Sequence, residues 1–320
     1  MTIDLRQPAL AATAVRKAYG DHVVLDGIDL DIPAGTVFAL LGPNGAGKTT
    51  MVQLLSTLIR ADAGEMRVAG HDVLRDPDAV RAAIGVTGQF SAVDGFLTGE
   101  ENLRLMADLN HLPRQERRRC VADLLQRFDL VDAAKKPAAT YSGGMGRRLD
   151  LAMTLVGRPQ VIFLDEPTTG LDPRSRRTMW EIIRGLVTDE GVTIFLTTQY
   201  LEEADRLADR IAVLHRGKLV AQGTAEELKR QVGGGHVTLR FTDPRGYDRA
   251  SRTLEVLSRN DETLTLQISS RGDVRSLRAL LDRLDRASLA VDEFQVHTPD
   301  LDDVFFALTG NPAAEQEPTR

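Results

Sequence analysis

A chain of 320 residues holds one large or two ordinary domains, and 42% hydrophobic with 27% charged residues reads as a soluble, globular protein. No apolar run approaches the roughly 18 residues of a membrane span and no secretory signal pattern heads the sequence, so any membrane-crossing part is expected from a partner. The net charge of −6 argues against a nucleic-acid surface, and the single Cys120 excludes an internal disulfide or cysteine metal cluster and reads as a buried structural thiol.

In chain order, residues 1–11 read as a flexible N-terminus. A strand is predicted over 14–18, turning at Tyr19-Gly20-Asp21 into Val23–Leu25. Ile28, Leu30 and Ile32 alternate with Asp29 and Asp31, the pattern of a half-buried antiparallel strand. Tyr19, at the end of this hairpin, is an edge aromatic that can stack on an adenine ring, a contact worth about 1–3 kcal/mol.

The next stretch organises the chain. Thr36–Leu41 is an apolar run readable as a buried strand, and Met51, Val52, Leu55, Leu58 and Ile59 recur at helical spacing. Between them Gly42, Pro43, Asn44, Gly45, Ala46, Gly47, Lys48, Thr49 and Thr50 fit the pattern G-x-x-x-x-G-K-[ST]. A glycine-rich turn from strand to helix aims several backbone N–H groups at one point, where the helix N-terminus adds positive potential. Lys48 is suited to neutralise the β- and γ-phosphate oxygens of a nucleotide, and the Thr49 hydroxyl to ligate Mg²⁺.

Turn signals follow at Gly64 and Gly70, and a strand from Ile84 ends at the polar Gln89. From Thr98 to Thr140 the pattern is helical, with Leu103 and Met106 on one helix and Val121, Leu124, Leu125 and Phe128 on another. The basic run Arg117–Arg119 reads as a solvated helix face. Ser142, before Gly143 and Gly144, stands where a helix N-cap belongs, and Leu149, Ala152, Met153 and Val156 give that helix an apolar face. The glycines make this a second potential anion site, although capping alone would explain the pattern. Val161–Leu164 is an apolar strand ending in Asp165 and Glu166, suited to hold Mg²⁺ and to orient an attacking water.

Asp172-Pro173 opens a helix carrying Trp180, Ile183 and Leu186. The strand Thr193–Leu196 leads to Gln199, and Leu201, Ala204, Ala208 and Ile211 are expected to face the core from the next helix. Strands at 211–214 and 218–220 close the first domain. Gly233–Gly235 reads as a linker to a small α+β domain with strands at 236–241, 263–269 and 290–297 and helices at 273–285 and 301–308. The polar residues 311–320 read as a disordered tail.

Taken together, GPNGAGKT at 42–49, YSGGM at 141–145, VIFLDEP at 161–167 and TGLD at 169–172 resemble the nucleotide-binding domain of ATP-binding-cassette (ABC) proteins. VTGQ at 86–89, TGEENL at 98–103, RRLDLA at 147–152, TTQYLEEAD at 197–205 and LDDVFFALTG at 301–310 are similar to the daunorubicin/doxorubicin-resistance ATP-binding subunits. The resemblance implies an α/β fold of the P-loop class over 12–228, with a RecA-like core, an antiparallel β subdomain and a helical subdomain at about 98–150. A C-terminal accessory α+β domain would follow at 229–310.

The same resemblance implies a mechanism. Two cassettes would pair head to tail as a homodimer, each ATP lying between one chain's phosphate loop and the other's Ser142, Gly143 and Gly144. Asp172 would lie at the seam, Gln89 would sense Mg²⁺ and the attacking water, and Glu166 would act on that water. Gln199 stands where ABC proteins generally carry histidine; its amide can still donate to a γ-phosphate oxygen but brings no imidazole titration. Gly146 replaces the arginine more usual in the resembling family, at up to about 1 kcal/mol relative to alanine in a helix.

The implied function is the ATPase subunit of an exporter for an amphiphilic, antibiotic-like compound. It would sit on the cytoplasmic face of a bacterial membrane and work with a separate integral membrane permease, with no nucleic acid. The alternatives are a soluble ABC ATPase acting on ribosomes or nucleic acid, and a nucleotide-gated scaffold with little turnover.

Overall fold

The structure, a computed structural model, describes residues 8–89, 91–232, 235–270 and 273–310. The expectations for residues 1–7, for Gly233 and Gly234 of the linker and for the tail at 311–320 lie outside the described residues. The chain divides into two compact units with the boundary between Ala225 and Glu226.

The first unit opens with β1 (Leu10–Tyr19) and β2 (His22–Ile32), then β3 (Val37–Leu41), α1 (Lys48–Leu55), β4 (Ala63–Val68) and β5 (His71–Asp72). The short α2 (Pro77–Ala83) leads into β6 (Ile84–Thr87), and three helices follow: α3 (Gly99–Leu109), α4 (Arg114–Arg127) and α5 (Gly143–Thr154). Then β7 (Val161–Asp165), α6 (Pro173–Glu190), β8 (Thr193–Thr198), α7 (Leu201–Leu207), β9 (Arg210–His215) and β10 (Lys218–Gly223) complete it.

The strands form an antiparallel sheet ordered β2-β1-β4-β5 and a six-stranded sheet ordered β10-β9-β3-β8-β7-β6, parallel except for the edge strand β10. In the parallel sheet β3, β7 and β8 are buried along their whole length, as runs covered on both faces must be. Across them Phe38, Phe195 and Phe163 sit in register with ring centroids 5.6 and 5.7 Å apart. The apolar core joins both sheets and the buried face of α1. This order puts the carboxyl ends of β3, β8, β7 and β6 side by side, the edge at which open α/β sheets bind ligands.

Four expectations change. The first strand starts at Leu10 rather than 14, because Leu10 pairs with Ile32 on one side and Val68 on the other. The loop helix ends at Leu55: Thr57 takes φ 66°, which turns the chain out of the helix and leaves Leu58 exposed. Ala208 is extended, so α7 stops at Leu207 and Ile211 belongs to β9 instead of the helix face. Cys120 is only partly buried; it lines a groove of about 910 Å³ with Arg119, Arg127 and Arg158, and burial pushes its thiol up, away from the reactive thiolate. In the basic run Arg117 pairs with Asp108, and Arg118 and Arg119 face solvent.

The second unit contains most of α8 (Ala225–Val232), then β11 (His236–Arg240), α9 (Pro244–Thr253), β12 (Val256–Asn260), β13 (Thr265–Ser269), α10 (Val274–Arg286), β14 (Glu293–His297) and α11 (Leu301–Thr309). Its sheet is antiparallel, ordered β12-β13-β11-β14. Val237, Leu239, Leu266 and Ile268 cluster with Tyr247 and Ala250 of α9 and Leu280 and Leu284 of α10. Among the described residues no helix is long and apolar enough to cross a membrane.

Candidate active site

The phosphate-loop residues connect β3 to α1 as the apolar run and the helical spacing require. Gly42 follows the last buried residue of β3, its N–H bonded to Thr198 O at 3.2 Å, and a Cβ there would lie 2.4 Å from Leu214 O. Gly47 caps α1 at φ 108°, and a Cβ on it would meet Leu25 Cδ2 at 2.8 Å. Only glycine fits either position. Asn44, Gly45 and Thr49 are exposed, Pro43 and Thr50 partly so, and Ala46 is buried under the loop.

Lys48 is 5% exposed, and its Nζ donates to Gly42 O at 2.9 Å and Pro43 O at 3.1 Å, curling the loop around the ammonium. The same ammonium lies 3.3 Å from Glu166 Oε1. This contact is a consequence of strand order: β8 lies between β3 and β7, and Asp165 pairs with Thr197 while Leu41 pairs with Thr198.

Thr197 fixes both acids at the end of β7. Its hydroxyl donates to Asp165 Oδ1, and its Oγ1 and carbonyl each accept from Glu166 N at 3.1 Å. Glu166 takes φ 51°, a strained backbone for a residue with a side chain, and this bend turns its carboxylate toward Lys48. Nine other described non-glycine residues also take positive φ, so what distinguishes Glu166 is its contact with the buried ammonium.

Gln89 and Gln199 follow β6 and β8 on the same edge of the sheet, Gln89 exposed and Gln199 half-buried. Tyr19 ends β1 with half its surface in solvent, and the Lys17 ammonium stands 5.3 Å from its ring centroid. Ser142 is the N-cap of α5 and accepts from Met145 N at 3.3 Å. Gly144 lets α5 approach the next segment: a Cβ there would sit 2.6 Å from Ser175 Oγ, whereas Gly143 is exposed. Asp172 caps α6, accepting from Arg174 N and Ser175 N at 3.0 Å, and these bonds with the Ser175 hydroxyl hold its carboxyl below the usual range. Lys48, Asp165 and Glu166 are thus brought together. Ser142 and Asp172 are exposed, and among the described residues no hydrogen bond or ion pair joins either to the Gly42–Thr50 loop.

Three charges in this region, Arg147 largely buried and Asp150 and Glu203 buried, were not anticipated from sequence. Arg147 donates to Pro167 O at 3.0 Å, Gly88 O at 3.0 Å and Asp165 O at 3.1 Å, and pairs with Asp150 at 3.2 Å. Burial pushes the Asp150 carboxyl up, opposed by the Ala92 N–H and by Arg147. Glu203 is fully buried, and its Oε1 accepts from Thr168 Oγ1 at 2.7 Å and Trp180 Nε1 at 3.1 Å. Burial pushes its carboxyl up as well. Beyond their place in the strings RRLDLA and TTQYLEEAD, the sequence signal was the i, i+3 spacing of Arg147 and Asp150, which on a helix usually means a surface pair.

A family profile described as ABC transporter matches residues 25–169, a span that holds the phosphate loop, Gln89, Ser142 and both acids. A second, the ATP-binding protein DrrA1-3-like C-terminal domain, matches 223–309. The daunorubicin/doxorubicin resistance ATP-binding protein DrrA of Streptomyces peucetius is 46% identical over 313 residues, 96% of this chain and 94% of the relative.

The chain belongs to the ABC transporter ATP-binding proteins.

A doxorubicin resistance ATP-binding protein of Mycobacterium tuberculosis, 44% identical, covers 95% of this chain and 94% of its own length. Among solved structures, a dimeric, post-hydrolysis ATP-binding cassette bound to ADP and Pi superimposes with a TM-score of 0.61 at 25% identity, covering 67% of this chain and 98% of that one. Members of this family bind ATP and hydrolyse it to power transport, and the chain is an ATPase of this kind.

Proposed function

We propose that this chain is the ATP-hydrolysing subunit of an exporter that moves an amphiphilic, antibiotic-like compound through a separate membrane permease. The observation that carries the reading is the Lys48–Glu166 contact beneath the glycine loop, set against a Ser142 that is exposed on another helix. One chain brings an ammonium, a loop of N–H donors and a carboxylate to one point, and offers a second anion-binding helix end elsewhere. Two copies arranged head to tail bring the two halves together around each nucleotide.

In this reading Tyr19 stacks on the adenine, and the N–H groups of the loop with Lys48 hold the β- and γ-phosphates. ATP competes with Glu166 for the Lys48 ammonium, which releases the carboxylate to orient and deprotonate the attacking water. The donor set at this edge fits a hard cation, all of it oxygen: the Thr49 hydroxyl, the Asp165 carboxylate oriented by Thr197 and the Gln89 amide. Bound Mg²⁺ supplies charge neutralisation on the phosphates, and those three residues hold it. Gln199 donates to a γ-phosphate oxygen. Ser142, Gly143 and Gly144 of the second copy close on the same phosphate, with Asp172 at the seam. The γ-phosphate bridges both halves, so ATP favours the closed dimer and ADP does not, which is the differential affinity a cycle requires. Closure is relayed through Gln89 and the helical segment 98–150 to the permease at the cytoplasmic face of the membrane.

Affinity capture of the tagged chain from a native membrane extract tests the assignment. A polytopic membrane protein is the expected companion. Recovery of ribosomes without it would move the chain to the class of soluble ABC ATPases.

A further inference from the structure

Arg147 occupies a position that neither phosphate binding nor capping explains. Its guanidinium donates to the carbonyls of Asp165 at 3.1 Å, Glu166 at 3.4 Å and Pro167 at 3.0 Å on one side, and to Gly88 O at 3.0 Å on the other. Its partner Asp150 accepts from Ala92 N at 3.1 Å. The pair therefore brackets Gln89, gripping the chain at Gly88 before it and at Ala92 after it. Asn102 extends the grip, accepting from Asp94 N at 2.9 Å and donating to Asp94 O at 3.0 Å. Ser142 caps the same helix five residues earlier, about 7.5 Å along its axis. A planar guanidinium with its donors engaged by three segments transmits a small helix displacement as a change in all of them, because its fork cannot bend.

We propose that Arg147, braced by Asp150, is a positioning residue that ties α5 to Glu166 and Gln89 of its own chain, so that capture of nucleotide by Ser142 in one site sets the hydrolytic geometry of the other. The proposal rests on the head-to-tail dimer put forward above. It assigns the intersite link to one side chain. The strained backbone of Glu166 is its receiving end, since the carbonyls on both sides of that bend are the ones Arg147 holds.

The test is steady-state ATP hydrolysis by the full-length chain in complex with its membrane partner, with Arg147→Gln, Arg147→Lys, Ser142→Ala and the double variant Ser142→Ala/Arg147→Gln. Expected for Arg147→Gln is a fall in kcat of tenfold or more with KM for ATP changed less than about twofold, and loss of cooperativity in ATP. Arg147→Lys keeps the charge facing Asp150 but not the fork, and should recover folding without recovering kcat. The double variant should be no slower than the slower single one, because both act through one link. Multiplicative losses in the double variant, or a kcat recovered by lysine, would overturn the proposal. Circular dichroism melts identify a variant that merely unfolds, and the lysine variant then carries the test. Failure of the dimer reading is distinguishable: native turnover would then show no cooperativity and no loss in Ser142→Ala.

Discussion

At single residues the site is defined by a left-handed backbone at Glu166 and by two charges largely buried from solvent. Glu166 bends through a left-handed conformation to reach Lys48, and the two charges are 10% and 5% exposed. Gly146 shows the opposite case. It lies inside α5, and a Cβ there would meet nothing within 4 Å, so its cost is backbone entropy alone. Gly146→Ala should therefore stabilise the fold by about 0.5–1 kcal/mol, read as a rise in melting temperature with ATP turnover retained. A lower melting temperature would mean that α5 needs the glycine.

Glu203 supplies a pH dependence whose sign is fixed. Burial raises its carboxyl above the ordinary 4.5, so the folded chain holds this proton more tightly than the unfolded chain does. The associated stability is complete below 4.5 and is lost as pH rises through the raised folded value. In Glu203→Gln the amide oxygen still accepts from Thr168 and Trp180 and nothing titrates. The native protein should thus lose melting temperature relative to the variant as pH rises above 4.5 through the raised folded value. Parallel profiles would contradict the buried, proton-binding carboxyl.

At the scale of elements, the strands that carry the chemistry were legible because buried parallel strands are continuous apolar runs. Val37–Leu41, Val161–Asp165 and Thr193–Thr198 stand out in sequence for this reason. Ser142 and Asp172 were legible as caps, since a short polar side chain before a helical pattern has one common use. What sequence did not reveal includes α2, β4, β5, α8, α9 and β12: these are short elements, α9 is mostly polar with Gly246, Tyr247 and Ala250 buried, and β12 is a largely exposed edge strand. The roles of Arg147 and Glu203 were hidden for a different reason. Each is a charge that only tertiary packing buries, and its partners are backbone carbonyls or side chains from distant segments. The ladder Phe38–Phe195–Phe163 carries the load of holding the three site strands in register. Phe195→Ala should cost about 3–5 kcal/mol in chemical denaturation, and a loss under 1 kcal/mol would show that the ladder is not what fixes them.

At the scale of the molecule, the proposed function makes the phosphate loop half of a site rather than a complete one. Lys48, Asp165 and Glu166 converge within the chain, while Ser142 and Gly143 face outward from a different helix. The second unit, matched by a DrrA-like C-terminal profile, adds a separate core with its own sheet and helices. The ATPase cycle proposed here requires that the nucleotide, rather than a permanent interface, bring two chains together. Light scattering of Glu166→Gln in ATP and in ADP measures that requirement directly. The expected result is a dimer in ATP, a monomer in ADP, and a monomer in both when Ser142→Ala is added. A mass that does not change between ATP and ADP would contradict the account.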